Sequence, residues 1–262
     1  MTLWNHGSDG LTVQANGSGV QILNSILRNN GGNNKNGDGI GLVGASSITI
    51  TNNQIIANAG YGIDSNTNTN NLVTISTNLI KGNGTAGAAA QGANAPQIAG
   101  IGIRVGTNFT ISQNIITANA GDGIVVKAGQ TGNRITQNSI FLNAELGIDL
   151  GGSDASNGGN NVSGNDGAKP NTTGNSGMDY PIFSNATISG ATLTIQGFVG
   201  SLAGQNTFAN ATIEIFKVDN DNNNNGEIVA GDTFARPHGE GKTYIGTITA
   251  RSEEHTSELQ SQ

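Results

Sequence analysis

Carboxyl groups with a spacing suited to acid–base chemistry occur at Asp122, Glu145 and Asp149. The first lies about two dozen residues before the others, so a chain that coils with that period would bring all three to one corner. Neighbouring carboxyl groups are what general acid–base catalysis and glycoside hydrolysis require. We take these three as the candidate catalytic residues. A structural role is favoured, because Asp9, Asp38 and Asp122 each stand directly before glycine, which is a turn signal.

A second set of charged residues follows the repeated Gly-Ile pairs, where Asp64, Arg104 and Asp149 are predicted to point outward. Asp64 and Asp149 would lie three turns apart, about 14 Å at about 4.8 Å per turn, whereas glycosidase pairs lie about 5–9.5 Å apart. That pair is therefore too far apart for catalysis. Arg104, Lys127 and Arg134 have no charged companion in phase, which predicts solvated surface positions.

Oxygen ligands cluster in the stretch "VDNDNNNNGEIVAGD". Carboxylates and amides of this kind are preferred by Ca²⁺. The stretch departs from an EF-type loop, in which glycine is sixth and glutamate twelfth, since Gly226 is eighth and Ala230 is twelfth. A polar hairpin tip is the alternative. The candidate calcium ligands are Asp219, Asp221, Asn223, Asn225 and Glu227.

These groups would be positioned by an internal repeat. Its pattern V-x-I-x-x-N-x-I alternates as a strand does, and glycine and asparagine separate the short runs. One copy per turn predicts three interior columns. They are Ile22, Ile50, Ile75, Ile111 and Ile135; Leu27, Ile55, Ile80, Ile116 and Ile140; and Leu11, Ile40, Ile63, Ile103, Ile124 and Ile148.

Asparagine and glycine also recur at fixed places in each copy. Stacked identical amides can bond from turn to turn, so a buried ladder is predicted at one bend. The glycine before each third-column isoleucine is predicted to adopt left-handed backbone at the next corner. The ladder consists of Ser25, Asn53, Asn78, Asn114 and Asn138.

The motif N-x-I-x-x-N-x-x-x-G-I resembles that of right-handed parallel β-helix proteins of the pectate-lyase-like superfold, of the large secreted bacterial type. The resemblance covers roughly residues 10–150 and implies an all-β solenoid. It is poor evidence for function, because the superfold hosts lyases, hydrolases, adhesins and surface proteins.

The chain divides into four predicted parts. Residues 1–150 form five to six turns of a β-helix that we expect to be truncated at its N-terminus, and residues 151–179 form a Gly/Asn/Asp-rich closing loop or linker. Residues 180–250 alternate as in an immunoglobulin-like β-sandwich, here incomplete. The segment 251–262 breaks the composition and is expected to be a translated sequencing adapter.

Bulk properties narrow the function. The net charge of −7 disfavours a nucleic-acid partner, and no apolar run is long enough for a membrane helix. Tryptophan occurs once, so a sugar-binding platform of stacked aromatics is not expected. We predict a non-catalytic, extracellular or cell-surface bacterial protein with a structural or adhesive role, contacting polysaccharide or another surface protein. The alternative is a polysaccharide lyase or glycoside hydrolase whose active site lies mostly outside this sequence.

Overall fold

The computed structural model describes residues 1–14, 17–32, 37–85, 98–151, 163–170, 173–218 and 239–250 in full, and 255–260 as a backbone strand. Within these residues the protein is all-β, with helix limited to two 3₁₀ turns, Gly174–Ser176 and Asn206–Phe208. No helix in this described part of the chain is long and apolar enough to cross a membrane.

Short strands fill the first half of the chain. They are β1 (Thr2–Trp4), β2 (Leu11–Val13), β3 (Gln21–Leu23), β4 (Ile26–Arg28), β5 (Ile40–Val43), β6 (Thr49–Thr51), β7 (Gln54–Ile56), β8 (Ile63–Thr67), β9 (Asn70–Asn71), β10 (Thr74–Ser76), β11 (Leu79–Lys81), β12 (Ile101–Ile103), β13 (Gly106–Thr107), β14 (Thr110–Ser112), β15 (Ile115–Thr117), β16 (Ile124–Val126), β17 (Arg134–Thr136), β18 (Ser139–Phe141) and β19 (Ile148–Asp149).

These strands form three long parallel sheets that run along one axis. Sheet 1 has the order β1-β4-β7-β11-β15-β18, sheet 2 the order β3-β6-β10-β14-β17, and sheet 3 the order β2-β5-β8-β12-β16-β19. Each strand pairs with the equivalent strand of the neighbouring turn, and β9 pairs with β13 in the same way. Strands β1 to β19 therefore form a parallel β-solenoid.

The first two predicted hydrophobic columns are confirmed by the strand register. Ile75 lies opposite both Ile50 and Ile111, and Ile80 lies opposite both Ile55 and Ile116. Ile50, Ile55, Ile75, Ile80, Ile111 and Ile116 are completely buried. The alternation of inward isoleucine with outward polar residues places every second side chain in a single core that runs along the axis.

The register of the third column is correct except in one turn, and its last member, Ile148, is 44% exposed and not interior as predicted. Ile101, and not Ile103, lies opposite Ile63 and Ile124. The sequence "GIGIR" offers two Gly-Ile pairs in succession, and the first of them takes the repeat position. Gly102 consequently lies beside Asp64, and Arg104 lies two residues beyond the position predicted for it.

The predicted asparagine ladder is present at the bend between sheets 2 and 1. The side-chain oxygen of Asn114 accepts hydrogen bonds from the backbone N–H and the side-chain amide of Asn78, both at 2.9 Å. Asn114 in turn donates both groups to the side-chain oxygen of Asn138 at 3.0 and 2.9 Å. These amides are buried, so the ladder satisfies polar groups that would otherwise be costly to desolvate.

A second ladder of the same kind occupies the bend after sheet 1. Its members are Asn30, Asn58, Asn83, Asn119 and Asn143. These asparagines recur at one position of the repeat, but the sequence analysis did not predict that they bond to each other. Both ladders follow residues with left-handed backbone. At the first bend these are Asn24, Asn52, Thr77, Gln113 and Gln137, and at the second Asn29, Ala57, Gly82, Ala118 and Leu142.

The prediction that the glycines before the third-column isoleucines are left-handed is wrong. Gly62 and Gly123 are not among the residues with positive φ. They are required by close packing instead, since a Cβ on Gly62 would lie 2.6 Å from the carbonyl oxygen of Gly100 and 2.7 Å from a methyl of Ile80. Left-handed backbone falls elsewhere in the turn, on polar and small residues and also on Leu72 and Leu142.

The C-terminal part forms small antiparallel sheets. Strands β20 (Pro181–Ser189), β21 (Thr192–Val199) and β24 (His255–Gln260) form one sheet, and β22 (Thr212–Lys217) and β23 (Thr243–Thr249) form another. An apolar cleft lined by Phe183, Ile195, Ile213 and Ile248 lies between them. The immunoglobulin-like sandwich and the adapter origin of the last residues stay predictions.

Candidate functional site

The aspartates of the Asp-Gly turns tie successive turns together. The carboxylate of Asp9 accepts the N–H of Asp38 at 3.0 Å, and that of Asp38 accepts the N–H of Tyr61 at 2.7 Å. Asp122 accepts the N–H of Leu146 at 2.8 Å. Each carboxylate thus bonds backbone one turn further along, which is the structural role that their position before glycine indicates.

The three candidate catalytic residues lie at the C-terminal end of this corner. Asp122 is completely buried, Asp149 is 4% exposed, and Glu145 is half-buried. One carboxylate oxygen of Asp122 and one of Asp149 are buried with no hydrogen-bond partner among the described residues. The structure therefore brings two poorly solvated acids into one region, with Glu145 nearby.

Burial and mutual repulsion favour the protonated forms of these acids. Desolvation, followed by repulsion from Asp149 and Glu145, raises the pKa of Asp122 to about 8. Desolvation, with repulsion from Glu145, raises the pKa of Asp149 to about 6. Burial also raises the pKa of Glu145. Asp122 thus holds a proton at neutral pH, as a general acid must, but its carboxyl group has no exposure through which a substrate could reach it.

A second charged cluster lies earlier on sheet 3, where the prediction for Arg104 is wrong. Its guanidinium forms two hydrogen bonds with the carboxylate of Asp64, at 2.9 and 2.7 Å, and lies 5.3 Å from the ring centre of Tyr61. Because Ile101 and not Ile103 takes the repeat position in this turn, Arg104 lies just after β12, and its side chain reaches Asp64 on the preceding turn. Arg134 is exposed, as predicted, and Lys127 is half-buried.

The electrostatics of this cluster follow from its burial. Burial acts to lower the pKa of Arg104, but the hydrogen bonds and attraction to Asp64 outweigh it, so the pKa is raised and the guanidinium stays charged. Desolvation raises the pKa of Tyr61, and desolvation with repulsion from Asp64 raises the pKa of Asp38 well above its usual range. The cluster is a packed ion pair under an aromatic ring.

The remaining predicted sites have simple outcomes. Asp64 and Asp149 lie on β8 and β19, three strands apart in sheet 3, so the predicted separation of three turns is confirmed. The calcium candidates Asp219, Asp221, Asn223, Asn225 and Glu227 lie outside the described residues. Within the described part of the chain, no group of three or more His, Asp or Glu side chains could hold a metal ion.

The outer faces of sheets 1 and 2 differ in chemistry. Sheet 2 presents a nearly uncharged field of half-buried hydroxyl groups, from Thr49, Thr74, Thr110, Thr51, Ser76, Ser112 and Thr136. Sheet 1 has its two aromatic side chains at opposite ends: Trp4, 6.0 Å from the guanidinium of Arg28, and Phe141, 4.5 Å from the amine of Lys242. Four strands separate them, so they do not form one stacking platform.

The strand order, the inward isoleucines and the asparagine ladders define a parallel β-helix. A family model described as "right handed beta helix region" matches residues 4–100. Among solved structures, the chain is similar to the A-module of the mannuronan C-5 epimerase AlgE4 of Azotobacter vinelandii, with 17% identity and a TM-score of 0.42. The match covers 57% of this chain and 48% of that one, so the chain spans about half the length of that module.

Proposed function

We propose that this chain is a non-catalytic, extracellular or cell-surface bacterial β-solenoid that serves as a stiff spacer with an adhesive face. The observation that carries the proposal is the pair of asparagine ladders, largely buried, which bond each turn to the next along the described solenoid. Such a stack resists bending because every turn is held by hydrogen bonds and by a shared core. The corner aspartates serve the same purpose.

The hydroxyl field of sheet 2 supports the adhesive part of the proposal. Thr51 and Ser76 already share a hydrogen bond of 3.0 Å from turn to turn. Regularly spaced hydroxyl groups on a rigid surface can bond the hydroxyl groups of a neutral polysaccharide at little cost in side-chain entropy. A glycan array and sedimentation with insoluble polysaccharides would test this contact. We expect retention that is weakened by Thr74→Val and Thr110→Val and unchanged by Lys81→Gln on the outer face of sheet 1; equal retention of all variants would contradict the role of the sheet 2 face.

A polysaccharide lyase or glycoside hydrolase is the second candidate, and the acidic corner favours it. Asp122 has a raised pKa and lies near two further carboxyl groups, which is the composition of a glycosidase site, although Asp122 itself is completely buried. Incubation with uronate and neutral polysaccharides distinguishes the two functions. Lyase action produces an ultraviolet-absorbing unsaturated end, and hydrolysis produces new reducing ends. We expect neither; turnover that disappears in a folded Asp122→Asn variant would overturn the spacer.

The calcium site stays a proposal and is independent of both functions. Hard oxygen ligands at residues 219–227 would stabilise the C-terminal part on binding Ca²⁺. Thermal unfolding with added CaCl₂ or with EGTA tests it, with Asp219→Asn plus Asp221→Asn as the variant. A melting temperature that is the same in both solutions would dismiss the site.

A further inference from the structure

The final turn of the solenoid is covered by residues that lie about a hundred positions later in the chain. The carboxylate of Glu240 accepts the backbone N–H of Asn143 at 3.1 Å and its side-chain amide at 2.8 Å. Asn119 donates the same two groups to Asn143 at 3.1 and 2.8 Å. Glu240 therefore stands where the next asparagine of the ladder would stand, and it is 2% exposed.

The two residues after Glu240 also accept hydrogen bonds that a further turn of the solenoid would accept. The carbonyl oxygen of Gly241 accepts the N–H of Ile140 at 2.9 Å, and that of Lys242 accepts the hydroxyl of Ser139 at 2.5 Å. Both donors belong to β18, the last strand of sheet 1. Residues 240–242 thus take the place of a further strand on that sheet.

Two other places on the last turns are closed in the same way. Glu214 accepts the N–H of Gln137 at 2.8 Å and also bonds the hydroxyl of Thr136, at the end of sheet 2. Asn175 exchanges hydrogen bonds with the backbone of Asn133, at 3.1 and 2.8 Å. Three separate segments of the C-terminal part therefore supply acceptors to groups that a further turn would otherwise satisfy.

We propose that these segments form a terminating cap. Without this cap, the edge of the last turn would bind a second copy of this chain. The cap is defined by Asn175, Glu214 and residues 240–242. A second copy is the fitting occupant because the edge presents the donors of the repeat itself, at the spacing that another turn of the same repeat matches. The carboxylates add charge to this end, which opposes edge-to-edge pairing. The proposal concerns assembly and does not depend on glycan contact.

The test uses the full chain with Glu240→Ala, Glu240→Gln and, as a control of equal charge change, Asp166→Ala at an exposed site. Hydrogen exchange follows the backbone amide of Asn143, with that of Asn119 as an internal reference. Loss of one buried acceptor should speed exchange at Asn143 on the order of tenfold in Glu240→Ala. Glu240→Gln keeps the side-chain volume and one acceptor, so a smaller increase is expected. The Asp166→Ala variant should match the wild type.

Light scattering after size exclusion measures the second part of the proposal. We expect the apparent mass of Glu240→Ala to rise with protein concentration, while the wild type and Asp166→Ala keep the mass of one chain. Unchanged exchange at Asn143 would overturn the cap. Faster exchange without any rise in mass would overturn the association surface. If the amide of Asn119 also exchanges faster in Glu240→Ala, the substitution has disturbed more than the last turn. The exchange at Asn143 and the apparent mass are then judged in Glu240→Gln instead.

Discussion

Arg104 and Asp64 form a two-pronged ion pair between consecutive turns of the solenoid, with hydrogen bonds of 2.9 and 2.7 Å. The carboxylate side chain is 1% exposed and the guanidinium side chain 22%. A buried pair of this kind contributes little net stability, yet removal of one partner leaves a charge without compensation. The pair thus fixes how these two turns align.

Arg104→Met should therefore destabilise the protein more than loss of both charges does. Breaking a buried pair costs up to about 3–5 kcal/mol, whereas replacing both members can be nearly neutral. Urea denaturation of Arg104→Met, Asp64→Ala and the double variant gives the coupling between them. We expect the double variant to be less destabilised than the sum of the single variants. Simple additivity would mean that the pair carries no coupling energy.

The ladder should be sensitive at its buried amides and insensitive beside them. Asn114→Ala removes the acceptor of Asn78 and the side-chain donor to Asn138, at a cost of roughly 1–3 kcal/mol for each buried group left unpaired. Gln113→Ala is the matched control, because Gln113 is exposed and has the same left-handed backbone requirement before and after substitution. Its effect should stay within about 0.5 kcal/mol. Equal losses in the two variants, measured by chemical denaturation, would argue against the ladder as a source of stability.

Stability should decrease as the pH rises from about 4 to about 8. The pKa of Asp122 is raised to about 8 in the folded protein, so the native state holds a proton that the unfolded chain releases at lower pH. The associated stabilisation is complete at acidic pH and is lost as the pH rises through the folded pKa. Asp149, with its pKa raised to about 6, acts in the same direction over a lower range. Asp122→Asn should flatten this dependence in urea titrations; an unchanged slope would show that Asp122 is ionised in the folded state.

The Tyr61 ring should make any side chain at position 102 destabilising. A Cβ on Gly102 would lie 2.7 and 2.9 Å from two ring carbons of Tyr61, which is 3% exposed. Gly102→Ala should cost about 1–3 kcal/mol through overpacking. Gly7→Ala is the control, because nothing lies within 4 Å of its added Cβ. Thermal unfolding compares them, and Tyr61→Leu in the Gly102→Ala background should recover part of the loss. If Tyr61→Leu restored none of the lost stability, contact with the Tyr61 ring would not be the cause of the loss.

The repeat made most of the solenoid predictable from sequence. Isoleucine and asparagine recur at fixed offsets, so the position of Ile75 between Ile50 and Ile111 could be predicted from spacing alone. The phase failed only at "GIGIR", where Ile101 and Ile103 satisfy the same local pattern. Gly100 takes the corner position of Gly62 and Gly123, since its added Cβ would likewise meet the carbonyl oxygen of the next corner glycine and an isoleucine methyl. A Cβ on Gly102 would meet the ring of Tyr61 instead.

Contacts outside the repeat could not be predicted in this way. The bond between Glu240 and Asn143 joins residues 97 positions apart, and no periodic signal links them. The ion pair of Arg104 and Asp64 was not predicted, because Ile103 was assigned to the repeat position that Ile101 occupies. For the second ladder the signal was present, since Asn58 and Asn83 occupy equivalent offsets, but bonding was inferred only for the first.

The bend after sheet 1 has one further consequence. Six residues join sheet 1 to sheet 3 in four of the turns, 5–10, 57–62, 118–123 and 142–147, whereas 29–39 and 82–100 are longer. The flanking strands β4, β11 and β12 nevertheless keep an uninterrupted register, and β5 keeps it from Ile40 to Leu42. The polypeptide can therefore be longer on this side without disturbing the coil, and a peptide grafted there would be displayed at regular intervals along the solenoid axis.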